Sequence, residues 1–283
     1  MIPPKFEYVA PTSVAEAAKF LAAHPDDAKL IAGGQSLVPV LKLRLAKPGY
    51  LVDLGRIAGL SYIREDAGKI AIGGMTTYAD IKSSALLREK CPLLTETATV
   101  IADVQVRNRG TIGGSLSHAD PSADMPAPIL ALDAELKVVG PKGERLIAVK
   151  DYFQGMFATA LAPDEILTEI RVPVLTGQRS AYLKAARRAT DFALVGVAVR
   201  MRVGKGDVCE EIAIGITGVG EKAYRASAVE RALQGKRLEA KAIEQAAAGA
   251  VDGVTPLGNI HGSVEYRTNL AKVYVARAIA AAK

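Results

Sequence analysis

Tryptophan is absent from the 283 residues, aromatic side chains make up only 5%, and the chain has just two cysteines and three histidines. Each scarcity narrows the function. Cys91 and Cys209 are far apart and neither belongs to a Cys-x-x-Cys or Cys-x-x-His spacing, so no zinc or iron–sulfur centre is expected from this chain alone. Both read as buried, reduced thiols. No apolar run reaches membrane-spanning length, and the opening "MIPPKFEYVAPTS" carries prolines and a glutamate where a secretory leader needs an apolar stretch. The expectation is a cytoplasmic protein with no transmembrane segment. Charge of one sign is not concentrated either: 36 basic and 30 acidic residues give +6, scattered in nothing longer than pairs such as Arg187-Arg188. With so few aromatics between them, these charges do not make a nucleic-acid footprint.

What is present is apolar content of 49% in a chain long enough for two or three packed units. Lys5 to Val9 reads as a strand, followed by a helix capped at Thr12 or Ser13 with Glu16 placed for a capping box. "AKLIAGG" and "GYLVDLGRI" read as further strands around a short helix or turn, a β-α-β-like unit of about fifty residues. Alternating "LSYIRED" and "KIAIGGMTT" predict a hairpin turning near Asp66 and Gly68, and "AELKVVGPKGERLIAV" predicts a second. Between them "TYADIKSSALLREK", capped by Thr76 or Thr77, and "PLLTETATVIADVQVRN" read as helices. After "DEILTEIRVPV" the pattern changes near Gly177 to a three-stranded meander and then alanine-rich helices. The expected class is α+β, with domains at 1–176, subdivided at about 54, and 177–283.

Two glycine pairs carry the chemistry. "LIAGGQSLVPV" and "TIGGSLSHADPSAD" each place Gly-Gly beside hydroxyl residues, at Gly33-Gly34 and Gly113-Gly114. A loop without Cβ atoms lets successive backbone N–H groups converge on an anion, and a helix starting beside it adds its positive end. Two such loops could hold a diphosphate from both sides. Neither is a Walker A loop, lacking Gly-Lys-Ser/Thr, and neither is Gly-x-Gly-x-x-Gly, so triphosphate hydrolysis and a Rossmann site are both disfavoured. A third pair, Gly73-Gly74, shares little surrounding sequence with them.

"LIAGGQSLVPVLKLRLAKPGYLVDL" and "RNRGTIGGSLSHADPSADMPA" resemble the FAD-binding medium subunit of the molybdenum hydroxylases, the family of the carbon monoxide dehydrogenase medium chain and the xanthine dehydrogenase flavin domain. The likeness continues through "DYFQGMFATALAPDEILTEIRVP" and "YLKAARRATDFALVGVAV" to "EYRTNLAKVYVARA", nearly the whole chain. It implies a two-subdomain PCMH-type FAD-binding domain, then a C-terminal domain of a three-stranded antiparallel sheet with helices. It also implies that Ala32, Gly33, Gly34, Gln35 and Ser36, flanked by Leu30, Ile31 and Leu37, and Thr111, Ile112, Gly113, Gly114 and Ser115 wrap the FAD pyrophosphate.

By the same resemblance Asp124 bonds the flavin's polar chain, its alternative being a helix N-cap before "MPAPILAL". Leu167 and Lys184 match flavin-contacting positions, their alternatives being a core leucine and an exposed strand lysine. Asp191-Phe192 matches an acidic-aromatic pair beside the flavin face. Ile101 stands where the xanthine enzyme has a stacking aromatic, and Gln35 where the carbon monoxide dehydrogenase chain has histidine. With no histidine or cysteine in the first loop, the FAD is expected to be noncovalent. His118 and Asp120 share the second loop, with His118 a possible contact. The implied function is electron transfer: a molybdopterin-binding large subunit oxidises substrate, a small subunit relays electrons through [2Fe–2S] clusters, and this chain's FAD passes them on. The implied assembly is a dimer of heterotrimers, with no catalytic base and no metal in this chain. A stand-alone flavin reductase or oxidase, and a flavin-free assembly scaffold, are the alternatives.

Overall fold

The computed structural model describes residues 1–283. The chain opens with three parallel strands, β1 (Glu7–Val9), β2 (Ala28–Ile31) and β3 (Tyr50–Asp53), in the order β1–β3–β2. Helices α1 (Val14–Ala23) and α2 (Leu37–Lys42) make the crossovers. Ser13 caps α1 by accepting the Glu16 N–H at 3.2 Å, while the Glu16 carboxylate accepts from the Thr12 N–H at 2.8 Å, so the expected capping box is spread over two residues. Ala17, Ala18 and Leu21 face inward against Val52, Leu54 and Leu60, and this small core is closed by Ile166 from far downstream.

The first hairpin follows as β4 (Ile63–Asp66) and β5 (Lys69–Gly73). Six short helices come next: α3 (Tyr78–Ser83), α4 (Ala85–Lys90), α5 (Pro92–Thr99), α6 (Val104–Arg107), α7 (Ile112–His118) and α8 (Pro126–Ala131). Two of the expected long helices are broken in the middle. Ser84 ends α3 in an extended conformation and its hydroxyl caps α4 through the Leu87 N–H at 3.2 Å. Between α5 and α6 the chain turns at Ala102 (φ 42°), and the Arg107 guanidinium donates to the carbonyls of Ile101 and Ala102 at 2.7 and 2.8 Å while Asp103 caps α6. A local side chain thus satisfies carbonyls that would otherwise require the helix to continue. Thr77, not Thr76, caps α3, in a full capping box with Asp80.

The second hairpin is β6 (Glu135–Gly140) with β7 (Gly143–Ala148), followed by the small pair β8 (Phe153–Gly155) and β9 (Ala158–Thr159). β10 (Ile166–Pro173) then inserts between the hairpins, giving an antiparallel sheet in the order β4–β5–β10–β6–β7. The largest core packs α5, α7 and α8 against its inner face.

The last third is an antiparallel sheet of β11 (Arg179–Ala185), β12 (Val195–Val203) and β13 (Cys209–Thr217), the three strands of the meander. A fourth, β14 (Tyr224–Arg225), joins at the edge; at two residues it is too short for alternation to announce it. α9 (Ser227–Leu233), α10 (Ala240–Ala247) and α11 (Val264–Ala282) cover one face and build a separate core with it. No helix is long and apolar enough to cross a membrane.

Candidate functional site

β2 delivers the chain into the turn Ala32–Ser36, where Gly34 has φ +74°. The backbone N–H groups of Gly33, Gly34, Gln35 and Ser36 donate to no acceptor in the chain. The Gln35 amide folds back onto the Gly33 carbonyl at 3.0 Å. Ser36 stands at the N-cap of α2 without bonding to the helix, so its hydroxyl is free. Four neighbouring donors without protein partners, on a turn lacking Cβ at two positions, form a concavity suited to a phosphate ester. Leu30, Ile31 and Leu37 flank it, each half-buried.

The second loop is built differently. Ile112 N–H donates to the Thr76 carbonyl (3.0 Å), Gly113 N–H to the Gly74 carbonyl (2.9 Å), Gly114 N–H to the Thr111 hydroxyl (3.1 Å) and Ser115 N–H to the Thr111 carbonyl (3.1 Å). Backbone N–H groups without a partner in the chain are therefore found in the first loop and not in the second. Glycine at 113 is a packing requirement: a Cβ there would lie 2.5 Å from the Gly74 carbonyl oxygen, and one on Gly74 would lie 2.4 Å from that of Leu167. The third glycine pair, unassigned from sequence, is the floor under the second loop. What the second loop offers to the cleft is the hydroxyl proton of Thr111, while the Ser115 hydroxyl bonds the buried Tyr78 phenol.

The loops meet. A Cβ on Gly33 would fall 2.0 Å from the Arg109 carbonyl, and one on Gly114 3.6 Å from the Ala32 Cβ. Along this seam runs a cleft of about 420 Å³, lined by Ala32, Gly33 and Thr111 together with Asp53, Ser61, Met75, Thr77, Asn108 and Arg109. The last six were not picked out from sequence. Asp53, Asn108 and Arg109 lie within the quoted motif stretches, but nothing in their spacing marks them. Asp53 accepts from the Tyr8 hydroxyl and the Gly55 N–H. A second hollow of about 270 Å³, beside the five-stranded sheet, is lined by groups that pair with one another: Tyr62 and Arg64 hold Glu169, and Lys137 holds Glu144.

Asp124 is not the cap of α8, whose N-cap residue is Met125. Its carboxylate is buried and accepts from the Tyr182 hydroxyl at 2.7 Å and the Lys184 ammonium at 2.9 Å. Burial raises the Asp124 pKa above the ordinary carboxylate range, with Lys184 and Tyr182 pulling against it. Lys184 is no exposed strand lysine: its side chain is 6% exposed, and it also donates to the Val100 carbonyl at 3.1 Å. The preceding residues are tied to the C-terminal third as well. Pro121 O accepts from Gly218 N–H and the Thr217 hydroxyl, Ser122 O from Ala193 N–H and Ala123 O from the Thr217 hydroxyl. Buried Arg267 braces these donors through the carbonyls of Leu194 and Gly218.

Leu167 is buried in the core, its carbonyl behind Gly74. Ile101 is buried in the same core, whereas Phe192 is 61% exposed on its loop. The His118 ring packs at a tilt against Phe157, centroids 5.0 Å apart, and Asp120 accepts from the Ser122 N–H. Both cysteines are buried and unpaired, burial pushing the Cys91 thiol up to about 12, and no cluster of ligating side chains suits a metal ion.

Residues 4–175 match the family described as the FAD binding domain in molybdopterin dehydrogenase, and residues 180–282 the CO dehydrogenase flavoprotein C-terminal domain. The chain is 42% identical to the carbon monoxide dehydrogenase medium chain of Hydrogenophaga pseudoflava over all of this chain and 98% of that one. It is 39% identical to the glyceraldehyde dehydrogenase medium chain of Sulfolobus acidocaldarius, over 98% of each. Among solved structures, a carbon monoxide dehydrogenase from Hydrogenophaga pseudoflava lacking the Mo-pyranopterin moiety of its molybdenum cofactor superposes with a TM-score of 0.97 at 43% identity, covering 100% of this chain and 98% of that one. Quinoline 2-oxidoreductase from Pseudomonas putida does so with 0.94 at 36%, again over 100% and 98%.

Proposed function

Since this chain belongs to the FAD-binding medium subunits of the molybdopterin dehydrogenases, we propose that it is the electron-transfer subunit of such a complex, taking electrons from [2Fe–2S] clusters of a small partner subunit. Substrate oxidation then belongs to a molybdopterin-binding large subunit, in a dimer of heterotrimers in the cytoplasm. The observation that carries the reading is the first loop: four unpartnered backbone donors at the mouth of a cleft whose other wall is the second glycine loop. That donor set fits a diphosphate, and Gly33 lets the first loop lie directly against the backbone of Arg109 on the opposite wall.

FAD, when bound, supplies the capacity to accept electrons singly and release them singly or in pairs. The rest is the work of this chain's residues. Gly33 to Ser36 bind phosphate oxygens through N–H groups, and Thr111 adds a hydroxyl donor from the opposite wall. Leu30, Ile31, Ala32, Leu37, Ile112, Gly113, Gly114 and Ser115 shape the walls, with Leu167 behind them. Asp124 and Lys184 serve the flavin's polar chain and ring, where a fixed cation favours the reduced, anionic form. Phe192 lies on a loop free to pack against the ring. Residues 1–176 act as the flavin-binding unit and 177–283 as the domain that holds Asp124 in place. No residue is required as nucleophile or base.

Relatives named for carbon monoxide and glyceraldehyde resemble this chain almost equally, which supports substrate choice residing in another subunit. Two buried, unpaired cysteines suit a reducing compartment. The test is the visible spectrum of the purified chain after FAD reconstitution and desalting, alongside Gly114→Asp, which puts a like charge between the loops. The native chain is expected to retain flavin and the folded variant to lose it. Failure of the native chain to hold flavin, even when co-expressed with both partners, would favour the scaffold alternative. Reduction of the isolated flavoprotein by NAD(P)H would favour a stand-alone reductase.

A further inference from the structure

Resting on the reading that Asp124 and Lys184 serve the flavin, we propose that Tyr182 is a positioning residue: its phenol, delivered by the second domain, fixes the Asp124 carboxylate and so aims the Lys184 ammonium at the cofactor. Strand alternation puts Tyr182 and Lys184 on one face of β11. They divide a single carboxylate between them, Tyr182 taking Oδ1 at 2.7 Å and Lys184 taking Oδ2 at 2.9 Å. An ammonium has three N–H donors. Asp124 and the Val100 carbonyl use two of those on Lys184, and the third has no partner in the chain. Its direction is set once the carboxylate cannot turn.

The phenol sits in a slot made for it. Gly196, paired across the sheet with Lys184, has no side chain, and a Cβ there would lie 2.3 Å from the Tyr182 hydroxyl oxygen and 2.8 Å from the Thr217 methyl. Tyr182, Asp124 and Lys184 are all shielded from solvent, so no water takes over the role of the hydroxyl. Loss of that hydroxyl leaves a buried carboxylate with one donor fewer and freedom to rotate, and the ammonium follows it.

Phenylalanine at 182 keeps the ring and removes only the oxygen, so it separates positioning from packing. Tyr182→Phe, Lys184→Met and the double variant are prepared in the assembled complex. The dissociation constant of FAD is measured after deflavination, and the flavin midpoint potential by spectroelectrochemical titration. Lys184→Met is expected to lower the potential and weaken binding. Tyr182→Phe is expected to move both in the same direction, weakening binding about tenfold, and to add nothing to the shift in potential in the Lys184→Met background. A Tyr182→Phe variant that changes only the unfolding temperature, or that shifts the potential equally in both backgrounds, would overturn the positioning role. If Lys184→Met leaves affinity and potential untouched, the reading of Lys184 as a flavin contact fails and the proposal with it. If only Tyr182→Phe is silent, that reading stands and the proposal alone falls.

Discussion

From Gly33 to Ser36, four successive N–H groups meet no acceptor in the protein; from Ile112 to Ser115, each of four is taken up by the chain itself. Both stretches are Gly-Gly followed closely by a hydroxyl residue, and in sequence they look interchangeable. The difference teaches that a glycine pair records only a need for missing Cβ atoms. In the first loop that need is partly a positive φ that leaves donors free. In the second it is backbone laid on backbone over Gly74.

The largest effect should come from filling that backbone contact. Gly113→Ala forces a methyl to within 2.5 Å of the Gly74 carbonyl, rigid main chain on both sides, and should cost about 3 kcal/mol of stability by urea denaturation, in the manner of severe overpacking. A variant as stable as the native chain would break the distinction. Gly34→Asp should do the reverse. Aspartate tolerates the left-handed φ, so stability should fall by only about 1 kcal/mol, yet the charge beside the open donors should weaken FAD binding by about thirtyfold, measured by flavin fluorescence. Thr111→Val removes the cap accepting the Gly114 N–H and should destabilise by about 1 kcal/mol, while Thr111→Ser should be nearly neutral in thermal unfolding.

The smallest effect lies at β7, the edge strand of the five-stranded sheet. The Arg145 guanidinium grips Glu165 with two bonds of 2.7 Å and holds its pKa below the ordinary carboxylate value. A lowered native pKa means stability that is present above the unfolded value of about 4.3 and is lost as pH falls through the native one. Glu165→Gln should therefore flatten the acid limb of the stability curve without changing FAD affinity at neutral pH. A change in affinity would mean that this edge and the donor loop are not separable.

Strands with two-residue alternation, both hairpins and the caps at Ser13 and Thr77 were legible in the sequence, because each depends on neighbours within a few positions. The break at Ala102 was not, since it depends on Arg107 turning back to two carbonyls that could equally have continued a helix. Within the site, the two glycine loops were visible as text. Gly74 as the floor and Asp53 on the wall were not, because their roles exist only once β5 and β3 are packed. The partners of Asp124 lie some sixty residues away on a strand of another domain, and a lysine and a tyrosine two apart on a strand look like ordinary surface and core.

Ile166, which closes the first small core from outside, has a consequence for synthesis. Residues 17–60 leave the ribosome with their sheet partners complete but with one wall of their interior still untranslated. At about 5–20 residues per second, that wall arrives roughly 5–20 seconds later. Through that interval the apolar side of this small unit stays open to solvent. A nascent chain stalled short of β10 should therefore be cut by protease within its first sixty residues, and one stalled well beyond β10 should resist.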